Sequence, residues 1–200
     1  MSVLARNIEG FILAGGASRR MGENKAALQL NGRSFVAHVA AALRVITRRI
    51  SIVGALPPED AGNLPFVPDL YVNWGALGGL HAALAACRSE WAVVVACDLP
   101  LVSGSLLERF ANLRDNYDAV APVQADGYPQ ALCALYQVAK CRDCAQQLIA
   151  SGERRPRTLL RAVNTRWVTH AEIADLPDAE RLLSNVNTPA DYGEVRQWLR

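Results

Sequence analysis

Apolar positions along the chain follow two rhythms: short continuous runs bounded by turn residues, and longer stretches in which apolar residues recur every third or fourth position. The runs predict strands. Ile8–Ala14 is bounded by glycines, Ile50–Val53 is closed by Gly54 and the Pro57-Pro58 breaker, and Phe66–Asp69 is shortened by its prolines. Trp91–Cys97 is apolar on both faces, as a central strand of a parallel sheet must be when helices cover both sides. Asp118–Val123 and Gln130–Tyr136 flank the turn-rich Ala125–Pro129 and read as two strands, and Arg166–Thr169 reads as another.

The helical rhythm begins after Ser34, where Phe35, Val39, Ala42, Leu43 and Ile46 form one buried stripe. Leu80, Ala83, Leu84 and Cys87 carry a second helix. Ser103 caps a third, with Leu106, Leu107, Phe110 and Leu113 facing inward. Helices are further predicted over Cys141–Ala150, Arg157–Ala162 and Pro189–Leu199, the last capped by Thr188 with Pro189 at its first position. Strands alternating with helices predict an α/β fold: a three-layer Rossmann-like, mostly parallel central sheet with helices on both faces. Neither a repeat nor a compositional break divides residues 1–200, so one domain is expected.

Composition narrows the function classes. A chain of 200 residues, 51% of them hydrophobic, buries roughly 70% of its unfolded surface without disulfide staples. Its 21 basic residues against 19 acidic ones give a net charge of +2, which argues against holding a nucleic-acid backbone by bulk charge. Five scattered cysteines read as free thiols of a reducing compartment, and Cys141 and Cys144, though three apart, lack two further ligands at metal-site spacing. The apolar run Trp91–Cys97 is far short of a bilayer span, which needs about 20 residues. A cytoplasmic protein working without membrane or nucleic acid is expected.

The segment Leu13–Lys25, LAGGASRRMGENK, packs three glycines and three cations behind the first strand. Glycine lets backbone N–H groups approach phosphate oxygens, so this is a candidate phosphate cradle. It is no Walker A loop, since Glu23 follows Gly22 where a lysine is needed; the dinucleotide fingerprint and the serine-hydrolase elbow fail on glycine spacing. Only Lys25 and Lys140 are lysines, so a lysine inside the cradle stands out as a point charge for a triphosphate. Asp98 follows a strictly apolar strand, where its carboxylate faces the crevice in which ligands collect and can hold Mg2+. Gly75–Leu80 opens the second helix, whose N–H groups and dipole can hold a base edge or an anion, with Gly78 and Gly79 as candidate nucleotide-binding residues. His38, His81 and His170 have no acid or nucleophile partner nearby in sequence and read as structural.

Taken together these segments resemble the molybdenum cofactor guanylyltransferases, within the wider nucleotidyltransferases. The likeness rests on LAGGASRRMGENK, the isolated Asp69, GALGGLHAAL at Gly75–Leu84, CDLP at Cys97–Pro100, PQALCALY at Pro129–Tyr136, GERR at Gly152–Arg155 and NVNTP at Asn185–Pro189. The resemblance implies transfer of GMP from Mg-GTP to the terminal phosphate of molybdopterin, with pyrophosphate leaving. It implies that Leu13, Ala14, Gly15 and Gly16 touch the nucleotide, that Lys25 meets its phosphates, that Asp69 meets the guanosine and that Asp98 holds Mg2+. Lys25 and Asp98 would carry the chemistry, and Arg20, Arg155, Asn185 and Asn187 would face the pterin phosphate. Handover of an oxidation-sensitive product to a molybdoenzyme, chaperone or delivery protein is expected.

The chain departs from the family pattern at two places. Gly54 stands where an asparagine commonly contacts the nucleotide, and Ala76 stands where proline is frequent. The first leaves open a related cytidylyltransferase acting on molybdopterin or on a sugar or polyol phosphate. A nucleotide-binding module without catalysis is the alternative from another class, disfavoured by the presence of both Lys25 and Asp98.

Overall fold

The computed structural model describes residues 7–15, 28–124 and 126–198. Its strands are β1 (Ile8–Leu13), β2 (Gln29–Leu30), β3 (Arg33–Ser34), β4 (Ile50–Val53), β5 (Phe66–Val67), β6 (Trp91–Ala96), β7 (Ala119–Pro122), β8 (Cys133–Gln137) and β9 (Thr165–Val168). Its helices are α1 (Phe35–Leu43), α2 (Gly75–Ala86), α3 (Gly104–Asn112), α4 (Val138–Ala150), α5 (Pro156–Ala162) and α6 (Pro189–Trp198). Seven strands form one sheet in the order β5-β4-β1-β6-β8-β7-β9, and all but β8 run in the same direction.

Period-two alternation sends the side chains of each strand to two cores. Ile8, Ile12, Ile50, Ile52, Val93, Val95 and Leu135 pack beneath α1 and α3, whereas Phe11, Leu13, Val53, Ala92, Val94 and Tyr136 pack beneath α2, α4 and α5. β1 and β6 are buried at every position, which accounts for their apolar sequences, broken only by Glu9 in β1. This is the three-layer, mostly parallel α/β architecture that the alternation of strands and helices predicts.

Local chemistry sets the boundaries. The Ser34 hydroxyl accepts from Ala37 N at 3.1 Å and Ser103 from Leu106 N at 3.2 Å, so α1 and α3 start at side-chain caps. α4 starts at Val138, ahead of the predicted Cys141, because the Gln137 side chain accepts from Lys140 N at 2.9 Å and lets β8 run directly into the helix. The β2–β3 hairpin is an addition to the predicted elements. Its turn residues Asn31 and Gly32 take φ of 51° and 74°, the paired left-handed conformation of a two-residue hairpin loop.

Beyond β9 the chain returns across the carboxyl end of the sheet. Val186 is fully buried in a third, small core with Leu30, Phe35 and Val195, and so fastens this return to the hairpin and α6. Thr188 caps α6: its hydroxyl accepts from Asp191 N at 3.2 Å while the Asp191 carboxylate accepts from Thr188 N at 2.9 Å. Among the described residues no helix is long and apolar enough to cross a membrane.

The return begins at a capping box on the short 3-10 turn His170–Glu172. Its Glu172 carboxylate pairs with Arg166 and accepts from Thr169 N at 3.0 Å, and these bonds pull its pKa down from the ordinary 4.5 to about 2. The charged form is therefore favoured by folding. The stabilisation is complete above about pH 4.5 and is lost as pH falls toward about 2. Glu172→Gln is expected to lower Tm at pH 7 by roughly 2–4 °C and to leave a shallower acid limb. Thermal melts between pH 7 and pH 2.5 test this, and coincident curves for the two proteins would remove the pair from the stability of this segment.

Candidate active site

β1, β4 and β6 end side by side, and the ladder fixes what emerges from them. Ala14 N donates to Val53 O at 2.9 Å, Cys97 N to Leu13 O at 2.9 Å and Gly54 N to Val67 O at 3.1 Å. Ala14–Gly15, Gly54 and Cys97–Asp98 thus leave the sheet together at its carboxyl edge, the crevice position for ligands in open α/β sheets.

Two backbones touch here. Gly54 has φ +82°, and a Cβ on it would lie 2.7 Å from Gly15 Cα. Glycine is demanded twice over, by the left-handed backbone and by the neighbour. The absent asparagine is thus part of a closer approach between the β1 and β4 loops. Into the angle between them comes Asp69, from the loop after β5: a Cβ on Gly15 or Gly54 would be 3.4 Å from its Oδ2, and one on Gly79 would be 3.6 Å from its Oδ1. Partial burial raises the pKa of this carboxyl, and no described residue hydrogen-bonds it. Gly79 lies in the first turns of α2, whose start has no side-chain cap, and beside Leu13, whose methyls would be 3.8–4.0 Å from a Cβ at that glycine. Gly78 instead receives Trp74, since a Cβ there would be 2.8 Å from the Trp74 Cβ.

Asp98 is held from the other side of the crevice. Its main-chain carbonyl accepts from Val186 N at 2.9 Å, and its Oδ1 accepts from Asn185 Nδ2 at 3.1 Å. Asn185 Oδ1 in turn accepts from Gln130 Nε2 at 2.8 Å, which settles the amide with its NH2 toward the carboxylate. The returning segment therefore lies directly against the end of β6. As the alternation in NVNTP implies, Val186 is buried while Asn185 is half-buried and Asn187 exposed.

Arg155 stands apart from this network, in the loop between α4 and α5. Its Nε and Nη2 each donate at 3.0 Å to the two carboxylate oxygens of Glu153, which also accepts from the backbone of Arg154 and Arg155 and from Thr158 Oγ1. These donors, the guanidinium foremost, hold the Glu153 carboxyl far below the ordinary range, so the pair stays ionised. Gly16, Arg20 and Lys25, the remainder of the proposed cradle and one proposed phosphate ligand, lie outside the described residues. The chain's other lysine, Lys140, is 2.7 Å from Asp118.

The remaining candidates from the sequence fall into structural places. Cys141 is buried on α4 with its thiol on Asp118 O, and burial pushes its pKa up to about 12. His81 is buried in α2 with an edge-on contact to Tyr71, and His38 meets Leu30 O at 2.8 Å. An open cavity of about 680 Å3 lined by Arg44, Arg48, Arg49 and Arg88 lies at the amino ends of β1 and β4, opposite to the crevice. Two participants gave little signal in the sequence. Gln130 reads as the start of a strand, and the role of Gly54 needs the contact with Gly15.

A family model described as the MobA-like NTP transferase domain matches residues 10–170. A probable molybdenum cofactor guanylyltransferase of Pelotomaculum thermopropionicum is 32% identical over 190 residues, covering 94% of this chain and 91% of that protein. Among solved structures, molybdopterin-guanine dinucleotide biosynthesis protein A of Archaeoglobus fulgidus is 25% identical, with a TM-score of 0.78 over 96% of this chain and 98% of that one. The 2-C-methyl-D-erythritol 4-phosphate cytidylyltransferase of Thermus thermophilus, 19% identical with a TM-score of 0.72 over 96% of this chain and 98% of that one, shares the fold.

The Gly15–Gly54 contact is testable without ligands. Gly54→Ala places a methyl against the β1 loop at a backbone angle that alanine avoids, and is expected to lower Tm by roughly 2–10 °C. Gly54→Asn, with the same Cβ, should do no better although asparagine tolerates the left-handed region. An unchanged melting temperature for both variants would show that the loops separate at no cost.

Proposed function

Because the chain belongs to the MobA-like NTP transferase family, we propose that residues 1–200 act as one nucleotidyltransferase domain that transfers GMP from Mg2+-GTP to molybdopterin. A phosphate oxygen of the acceptor attacks the α-phosphorus, a new phosphoanhydride forms, and the bond to the β-phosphate breaks to release pyrophosphate. The observation that carries this reading is the meeting, at one sheet edge, of the glycine-lined Asp69 carboxylate with Asp98 and the Asn185 strap.

Each group has a task set by its chemistry. Leu13, Ala14, Gly15 and Gly16 are assigned to hold the nucleotide by their backbone, and Gly79 keeps the space beside Asp69 open to it; Gly78, buried against Trp74, serves the packing of α2 instead. Asp69, an acceptor with two oxygens, suits the adjacent N1–H and N2–H2 donors of guanine; cytosine presents a single donor group beside an acceptor. The guanine preference therefore survives the loss of the asparagine at position 54. Lys25 neutralises phosphate charge, and Arg20, Arg155, Asn185 and Asn187 face the acceptor phosphate and the polar edge of the pterin.

Asp98 is the residue that would hold Mg2+. One hard carboxylate at the strand end, kept in place by an amide and a backbone bond, fits an ion that takes most of its remaining ligands from water and substrate phosphates. When bound, the ion neutralises charge on the phosphates and polarises them toward attack. The chain's own part is to fix the carboxylate plane through Asn185 and to keep both phosphates in line. A cytoplasmic setting supplies GTP and a reducing environment, and the oxidation-sensitive product passes to a molybdoenzyme, chaperone or delivery protein.

Anaerobic pyrophosphate release with molybdopterin, run with GTP and CTP in parallel, tests the assignment. GTP turnover is expected, and exclusive use of CTP or binding without turnover would overturn it. Asp98→Asn should retain the fold and lose most turnover at any Mg2+ concentration, and Lys25→Ala should lower kcat by more than it raises the GTP KM. Asp69→Asn is expected to raise the GTP KM roughly 10- to 100-fold with little effect on the molybdopterin KM. Equal rises for both substrates would place Asp69 outside base recognition.

A further inference from the structure

The loop that carries Asp69 and the loop that carries Arg155 are joined by three contacts. From the nucleotide side, Trp74 Nε1 donates to Glu153 O at 3.1 Å. From the other, Arg154 Nη1 donates to Asn73 O at 3.3 Å, and the Arg154 guanidinium lies over the Trp74 ring, 4.6 Å from its centroid. Trp74 itself is fixed from below. Its Cβ occupies the space left by Gly78, and its ring leans on Tyr71, which leans on His81. Asn73 at φ 60° and Gly75 at φ 71° bend the chain around it.

Glu153 passes this restraint to Arg155. Its carbonyl is bound to Trp74, and its carboxylate takes the Nε and Nη2 side of the Arg155 guanidinium. A guanidinium has two edges able to make paired bonds, Nε with one terminal nitrogen, and the two terminal nitrogens together. With the first edge on Glu153, the second faces outward on a side chain that is 64% exposed, and none of the described residues bonds Nη1. An outward pair of N–H groups on a fixed guanidinium is the geometry for a tetrahedral phosphate.

We propose that Trp74 is a positioning residue for the acceptor: through Glu153 it fixes Arg155 with its terminal edge toward the molybdopterin phosphate, tying the nucleotide-side loop to the acceptor-side loop. This rests on the reading of Arg155 as a phosphate ligand. It also gives GERR a division of labour. Glu153 orients Arg155, and Arg154 locks the loop by stacking on Trp74.

The test is steady-state kinetics with molybdopterin and GTP varied separately. Trp74→Phe keeps a ring for Arg154 and removes the N–H, and Arg154→Ala, at an exposed position, removes the stacking without disturbing a core. Each is expected to raise the molybdopterin KM about three- to tenfold, with kcat and the GTP KM within twofold. In an Arg155→Ala background the same substitutions should add nothing, because they act through that arginine. An undiminished effect in that background, or a GTP KM that rises in step, would overturn the proposal. If Arg155→Ala raises the molybdopterin KM while Trp74→Phe and Arg154→Ala do not, the tie alone falls. If Arg155→Ala leaves it unchanged, the reading of Arg155 falls and takes the tie with it.

Discussion

The complete burial of β1 and β6 is the constraint from which the working end of this molecule follows. Both strands are covered on both faces, so their backbone groups must be satisfied within the ladder and their side chains must be apolar. The one exception shows what the constraint demands. Glu9, buried within β1, is met by Arg49 at 3.2 Å, by Ser89 and by Arg88 N, and is thereby committed to structure. Chemistry is displaced to where the strands stop, and parallel strands stop together. Asp69 and Asp98 come to the same edge because β5 and β6 run in the same direction as β1 between them.

The second determinant is the return of the chain across that edge. Without it Asp98 would end a strand in open crevice. With it, the carboxylate is bonded to Asn185, the carbonyl to Val186 N, and Leu183 O accepts from Gln124 Nε2 at 3.3 Å. What keeps the return in place is remote in sequence: Val186 beds against Leu30 and Phe35, beside the hairpin that starts α1. The last helix is thus a fastening for the site. Its Thr188 cap sets the point at which the NVNTP segment stops being extended and begins to turn.

Much of this was legible from local pattern. Ile50–Val53 coincides with a strand, Ser103 and Thr188 cap the helices they were expected to cap, and the apolar run before Asp98 is the central strand. The hairpin was readable in principle, since Asn31-Gly32 is a strong two-residue turn signal, but strands of two residues offer no periodicity. What periodicity could not carry is pairing. β8 enters between β6 and β7 as the one reversed strand, a choice made by the register of Val93 with Leu135 and of Val120 with the same residue. The site residues were readable as types, whereas their partners were not. Asn185 meets Asp98 across 87 positions and Trp74 meets Glu153 across 79, and no local rule spans such distances.

That separation has a consequence for how the site comes into being. Its parts derive from the ends of β1, β4 and β6, from the loops after β5 and α4, and from the return after β9, so no subset of consecutive elements contains it. Non-local pairings of this kind form late, because the chain must close long loops before any contact compensates for the lost freedom. The Asp98–Asn185 bond requires both the seven-stranded sheet and the small third core. Among the described residues that core has Leu30, Phe35, Val186 and Val195 as buried members, against the much larger clusters on either face of the sheet. Local stability follows the amount of packed surface, so the strap over Asp98 is supported less than the strand that presents it. The strand end is held rigidly by the sheet, and the strap opposite it is held by a few side chains. Under the proposed reading, an enzyme that admits a large pterin beside a fixed nucleotide is well served by that division, with the rigid part under the Asp98 carboxylate and the lightly fastened part opposite it.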